Sequence, residues 1–210
     1  ALQRREHCRQ ITWLREWPGG EEMLIQVNVP RGQKLRVRPE MDVLDVEELA
    51  PLFAEKPDPG AQNRILEWIE ALNQGYRLPG VVGSGTFDNY HGSGAVRNYV
   101  KSPTDHPSEI RTADVVRAAR RGHVLMTTGP FLEVTAETAD GRAGAEMGGE
   151  LPLEKGPVQL HVTVRCPERI TAERVMVLVD GQKRLGLDLR RETSAEGFQS
   201  GITSFKRTLT

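Results

Sequence analysis

Two rhythms of apolar residues run along this chain, and one gives way to the other near residue 123. Before that point, short apolar runs alternate with stripes of helical spacing. Ile11, Leu14 and Trp17 stand among charges in the segment from Leu2 to Trp17, which predicts a surface helix ended by Pro18-Gly19-Gly20. Met23 to Val27 is a nearly continuous apolar run, as a strand buried on both faces requires, and Met41 to Val46 is a second. Ile65, Trp68, Ile69 and Leu72 fall at i, i+3, i+4 and i+7, so a helix is predicted over Ala61 to Gly75, with Gly75 as its cap. Gly80 to Thr86 is the next strand. Thr112 is placed to cap a helix carrying Val115, Val116 and Ala119 and closed by Gly122. Strand, helix, strand, helix in this order predicts an α/β layer or barrel.

Beyond residue 123 the period falls to two. Val124 to Thr128 and Leu132 to Ala136 are short strand candidates. Val158, Leu160, Val162 and Val164 alternate with polar residues, as do Val175, Val177 and Val179. Asp180-Gly181 is a two-residue hairpin signal, with Leu185, Leu187 and Leu189 on the returning strand. No helical stripe interrupts this region, which reads as an antiparallel β-sandwich. The glycines between 137 and 150 mark a boundary, giving an α/β domain over 1–137 and a β-sandwich-like domain over 138–210. Thr203 to Thr210 reads as a strand begun without its partner, so the chain is expected to be a fragment or a processed piece.

Composition narrows the classes of function. With 28 basic against 29 acidic residues, no global field favours nucleic acid. The apolar runs are far shorter than the ~20 residues of a membrane-spanning helix, so no membrane span is expected. No secretory leader is legible. Cys8 and Cys166 make neither a disulfide framework nor a metal knuckle, and neither redox state nor compartment follows from them.

The stretch from Gly83 to Val100 holds the candidate chemistry. It gathers glycines, Asp88, His91 and Arg97 after a buried strand, where α/β folds place ligands. Asp88 and His91 are a metal pair or an acid and base, with Asp105 or His106 as further donors, and Arg97 suits an anionic oxygen. The competing reading is a structural loop whose His91 and Arg97 bond backbone carbonyls. His7, His123 and His161 read as solvated or structural, Arg117, Arg120 and Arg121 as a solvated face, and Trp13, Trp17 and Trp68 as core.

The Gly83–Val100 segment resembles the closing motif of PHP-type metallohydrolases of the CehA/McbA-like branch, in which Gly-Ser-Asp-Ser-His leads into Arg-x-Tyr-Val. Leu24 to Gly32 is similar to that family's Asn-His-Pro-Arg strand, Asn63 to Gly75 to its preceding helix, and Thr127-Thr128-Gly129-Pro130-Phe131 to its Thr-x-Gly-Pro segment. The likeness implies the C-terminal part of a partial, distorted (β/α) barrel followed by a β-sandwich. It also implies a lost metal site. The positions matching the family's ligands are Val29, Gly85 and Phe87, none of which offers a lone pair, and the paired-His motif expected upstream is missing.

The expectation is therefore a metal-free, catalytically degenerate hydrolase relative, acting as a scaffold or as a ligand- or partner-binding module. Arg31, Asp88, His91 and Arg97 would line what pocket remains, for an anionic or carbohydrate-like small molecule. Its partner would be another protein or the barrel's missing N-terminal half. The alternatives are an active zinc or manganese hydrolase of phosphoester, amide or ester type, completed by residues outside this chain, and a structural subunit whose sheet edge pairs with a neighbour.

Overall fold

The computed structural model describes residues 13–27, 43–45, 64–83, 96–152 and 156–210. Contacts divide the chain into two units, residues 1–83 with 100–124 and residues 84–99 with 125–210.

In the first unit a helical segment through residues 13–16 stops at Pro18-Gly19, and a 3-10 turn, Gly20–Glu22, follows. Strands β1 (Gln26–Val27), β2 (Val43–Asp45) and β3 (Gly80–Val81) form a parallel sheet in that order. Gln26 pairs with Val43, and Leu44 with Gly80. Helix α1 (Arg64–Asn73) buries Ile65 and Ala71, while Leu72 stays 39% exposed, so its inner stripe is centred a little off the predicted one. Gly75 ends it at φ +89°, as the reading of a glycine cap requires. The Trp68 indole then donates to the Leu78 carbonyl at 2.6 Å, tying α1 to the approach of β3. Helix α2 (Thr112–Arg120) buries Val116 and Ala119. Val81, Ala119 and Val124 form a small core, backed by Leu24 and Val100. Arg120 donates to the Met23 carbonyl at 2.6 Å, fixing the chain ahead of β1. The residue at the N-cap of α2 is Arg111 rather than Thr112, and no side chain caps the backbone there. Arg111 instead reaches forward to Asp114.

Strand β4 (Arg97–Val100) pairs with β5 (Val124–Thr127). The second unit is antiparallel. Strands β6 (Phe131–Thr138), β7 (Gly144–Glu146), β8 (Val158–Arg165) and β11 (Thr203–Leu209) make one sheet in the order β11-β8-β6-β7, and β9 (Arg174–Val179) pairs with β10 (Gln182–Arg190). The β9–β10 turn has Asp180 at φ 52° and Gly181 at φ 75°, the left-handed pair that a tight hairpin demands. Val162, Val164, Cys166, Phe205 and Leu209 bury against Leu189, with Val175, Val177 and Leu187 beside it, so the two sheets share one core. The alternation read at 158–164 and 175–179 is what aims these side chains to one face.

The structure corrects the expected fold class. Strand outweighs helix, the sheets are largely antiparallel, and a PHP-type (β/α) barrel is not indicated. Among the described residues no barrel closes. The strands shown as parallel, β1 to β3, are two or three residues long and form an open sheet, whereas a barrel must turn a staggered sheet back on itself. Thr203 to Thr210 is corrected as well. The partner missing in the sequence reading is β8, met in the register Phe205–Val164 to Leu209–Leu160.

Candidate functional site

Of the four residues expected to line a pocket, Arg31, Asp88 and His91 lie outside the described residues, as do Val29, Gly85 and Phe87. Arg97 is on β4, exposed, and its guanidinium meets no partner among the described residues. Asp105 and His106 sit on an exposed loop before a 3-10 turn, where the His106 amide bonds the Thr104 hydroxyl at 3.2 Å. Among the described residues no three His, Cys, Asp or Glu side chains gather as a metal centre would require.

Most charged clusters of the described residues are braces. Asp114 is buried under Arg111 and Arg117, each bonded to it at 2.9 Å. The Arg111 hydrogen bond above all holds its carboxyl below the usual range, against the opposing effect of burial. Asp188 is likewise lowered by Arg174, which forks onto both its oxygens at 2.6 and 2.5 Å across β9 and β10. Asp140 is lowered chiefly by the Thr138 hydroxyl. His161 links three strands, its Nδ1 2.8 Å from Thr208 Oγ1 and its Nε2 2.8 Å from Glu137 Oε1. The structural reading of His161 is thereby given its partners. Arg191 bonds the Ala172 carbonyl and lies 5.2 Å from the Phe198 ring. Trp13 and Trp17 depart from the core reading: they stack edge to face at 4.6 Å and are 54% and 46% exposed.

A different grouping presents itself to solvent in the second unit. Arg97 and Tyr99 are two residues apart on β4, hence on one face of it, about 7 Å apart along the strand. The Tyr99 ring meets Phe131 edge to face, centroids 5.2 Å apart. Tyr99 and Phe131 nonetheless stay 43% and 37% exposed, although apolar rings are usually drawn inward. The turn ahead of Phe131 is held rigidly. The Thr127 hydroxyl, in a buried residue, donates to the Pro130 carbonyl at 2.5 Å and accepts from the Gly129 amide at 2.9 Å. Gly129 admits Ile170, whose Cδ1 would lie 2.8 Å from a Cβ placed there. On the next strand Arg165, opposite Phe131, pairs with Glu133 at 3.1 Å.

This grouping offers a guanidinium with five donors, a phenol and two aromatic rings. Such a set grips a ligand bearing an anionic oxygen and an apolar face. Neither Tyr99 nor Phe131 stands out in the sequence, because both lie inside stretches that resemble family motifs. The available signal was their position: Tyr99 two residues after Arg97 on a strand, and Phe131 directly after a Gly-Pro turn.

Comparison with protein-family models, with characterised proteins and with solved structures finds no match for this chain. The resemblance to PHP-type enzymes therefore rests on its sequence motifs alone. No helix of the described residues is long and apolar enough to cross a membrane.

Proposed function

We propose that this chain is a non-catalytic scaffold and binding module, and that its β-rich unit engages an anionic, carbohydrate-like ligand through Arg97, Tyr99 and Phe131. One observation carries the reading: Arg97 and Tyr99 share one face of β4, and the Tyr99 ring meets Phe131 of β6 while both rings stay exposed beside a hydrogen-bonded turn. Sugar C–H faces stack on aromatic rings, and a sugar carboxylate matches the guanidinium fork. The likeness to PHP-type hydrolases supports the loss of chemistry, because Val29, Gly85 and Phe87 stand where that family's ligands would be. The clusters Asp114, Asp188 and His161 add support, since their hydrogen bonds go to arginines of the same helix end for Asp114 and to neighbouring strands for Asp188 and His161 rather than to an open site.

The test is calorimetric titration with neutral and uronic-acid oligosaccharides of equal length. Uronic acids are expected to bind and neutral sugars to bind at least about tenfold more weakly, the loss of one charge-assisted contact. Arg97→Ala removes that discrimination, and Phe131→Ala weakens both series. Metal-dependent turnover of phosphoester or amide substrates by the purified chain, or equal affinity for both series, overturns the reading.

A further inference from the structure

Polar chemistry of a second kind lies beside the aromatic pair. Leu132 and Val134 of β6 pack against the core, so the alternate residues Phe131 and Glu133 leave the sheet on its opposite face, where both are exposed. Arg165 of β8 stands directly opposite Phe131 and shares that face, the two backbones about 5 Å apart. Its guanidinium pairs with the Glu133 carboxylate at 3.1 Å, and the two side chains remain 53% and 44% exposed. An ion pair so open to water contributes little to stability and exchanges its contacts readily. The next cation along this row, Lys206, lies beyond Thr163, two strands or about 10 Å from Glu133 at the backbone. The Tyr99 and Phe131 rings stand at 86° to one another, so no single flat ring lies on both.

Resting on the reading of this surface as an anionic-sugar site, we infer that its ligand joins a uronic acid to a neutral sugar unit, with the acid over Tyr99 on the Arg97 side and the neutral unit over Phe131 beside Glu133 and Arg165. Two rings at right angles take two sugar units, one against each. The polar groups at the two ends differ in kind. Arg97 offers donors only, which suits a carboxylate. The far end offers a donor and an acceptor together, Arg165 and Glu133. A sugar hydroxyl is both donor and acceptor, so it donates to the Glu133 carboxylate while accepting from the Arg165 guanidinium. An ionised carboxylate can only accept. Placed there it would gain Arg165 but set a second anion against Glu133, whose own acceptor atoms would be left without a donor. Glu133 is therefore the residue that selects a neutral unit at this end, as Arg97 selects an acidic one at the other.

Three disaccharides test this by calorimetric titration of the full chain: one uronic acid linked to one neutral hexose, the matching di-uronic acid, and the matching neutral disaccharide. The mixed disaccharide is expected to bind most tightly, with the di-uronic acid and the neutral disaccharide each at least about tenfold weaker, the loss of one charge-assisted contact. Glu133→Gln keeps the shape of the side chain but supplies a donor to a carboxylate, so the preference for mixed over di-uronic sugar falls to within about twofold while the preference for mixed over neutral sugar remains. Equal affinity for the mixed and di-uronic sugars, with both still at least about tenfold above the neutral one, overturns this inference and leaves the Arg97 reading standing. A folded Glu133→Gln chain that keeps the whole preference for the mixed sugar also overturns it. A neutral disaccharide bound as tightly as the mixed one, or no binding of any of the three, overturns both readings together. The three titrations of the unaltered chain decide the matter should Glu133→Gln fail to fold.

Discussion

The two units solve the problem of strand register by different means. In the second unit β6, β8 and β10 run eight or nine residues, and one face of the main sheet is buried around Phe205, which is 0% exposed. Sliding such a strand by one residue would turn its whole apolar set outward, so the pattern fixes the pairing. In the first unit the parallel strands span two or three residues, too few for alternation to specify anything. Register there is imposed from outside, by Ala119 of α2 against Val81 and by Arg120 on the Met23 carbonyl. Long patterned strands carry their own instructions, whereas short ones borrow them from helices.

The most severe test of this contrast is truncation of each core. Phe205→Ala empties the best-packed position of the second unit, where the ring also meets Phe198 edge to face at 4.8 Å, and is expected to cost about 3–5 kcal/mol. Val81→Ala in the smaller core removes less buried surface and is expected to cost about 2 kcal/mol. Urea unfolding followed by circular dichroism measures both. Equal losses would mean that the first unit depends on its core as heavily as the second.

A gentler comparison uses two glycines with nearly identical backbones. Gly75, after α1, has φ +89° and open space around it; Gly197, beside β11, has φ +88° but a Cβ there would lie 2.9 Å from the Phe205 ring. Gly75→Ala therefore meets only the left-handed backbone penalty, about 1 kcal/mol. Gly197→Ala adds a collision with the core, and we expect about 2–3 kcal/mol in total. Thermal melts of the pair separate backbone strain from packing, and matching shifts would show that Phe205 moves aside without loss.

These differences explain which parts of the fold were legible in the sequence. Val158 to Val164, Val175 to Val179 and Asp180-Gly181 carry local signals long enough to define strands and a turn, and the structure places β8, β9 and the hairpin there. Met23 to Val27 and Gly80 to Thr86 read as the strands of a barrel because they are apolar, yet only Gln26–Val27 and Gly80–Val81 pair among the described residues. Apolar content signals burial without stating how many residues pair or whether a sheet closes. The partner of Thr203–Leu209 was invisible for another reason: β8 lies about forty residues earlier in the chain, and no local pattern encodes a pairing at that separation. In the candidate site Arg97 was legible as a cation near a glycine-rich loop, whereas the meeting of Tyr99 with Phe131 depends on the fold bringing residues of β4 and β6, strands of different sheets, into contact.

A smaller effect is expected at the turn that presents Phe131. Thr127→Val keeps the shape of a buried side chain but deletes the hydroxyl shared by Pro130 and Gly129. The Gly129 amide loses its partner, which costs about 1–2 kcal/mol. The first unit braces a turn in the same manner, the Ser102 hydroxyl donating to the Thr104 carbonyl at 2.7 Å and accepting from the Thr104 amide at 3.3 Å, but that turn presents no aromatic ring. Fluorescence of Tyr99 and sugar titrations read the consequence. Weakened binding with a modest change in melting is the expected pair of results, and unaltered binding would separate the turn from the surface it supports.

The weakest effects are electrostatic, and salt distinguishes the units. Asp114 and Asp188 both have folded pKa values depressed below the ordinary carboxylate value by arginine hydrogen bonds. Each therefore contributes stability that is present above the unfolded carboxylate's pKa, near pH 4, and is lost as the pH falls toward the lower folded value. Their shielding differs. The arginines on Asp114 are 75% and 57% exposed, whereas Arg174 and Asp188 are 24% and 20% exposed. Raising salt to about 1 M shortens the screening length to about 3 Å and acts mainly on exposed charges. Denaturant midpoints measured from pH 6 to pH 2 should fall in acid for the unaltered chain, with Asp114→Asn and Asp188→Asn each flattening part of that fall. High salt should weaken the Asp114 share more than the Asp188 share, because the arginines on Asp114, itself only 7% exposed, reach further into solvent than Arg174 does. An Asp188 share that weakens equally in salt would mean that the β9–β10 clamp is as open to solvent as the start of α2.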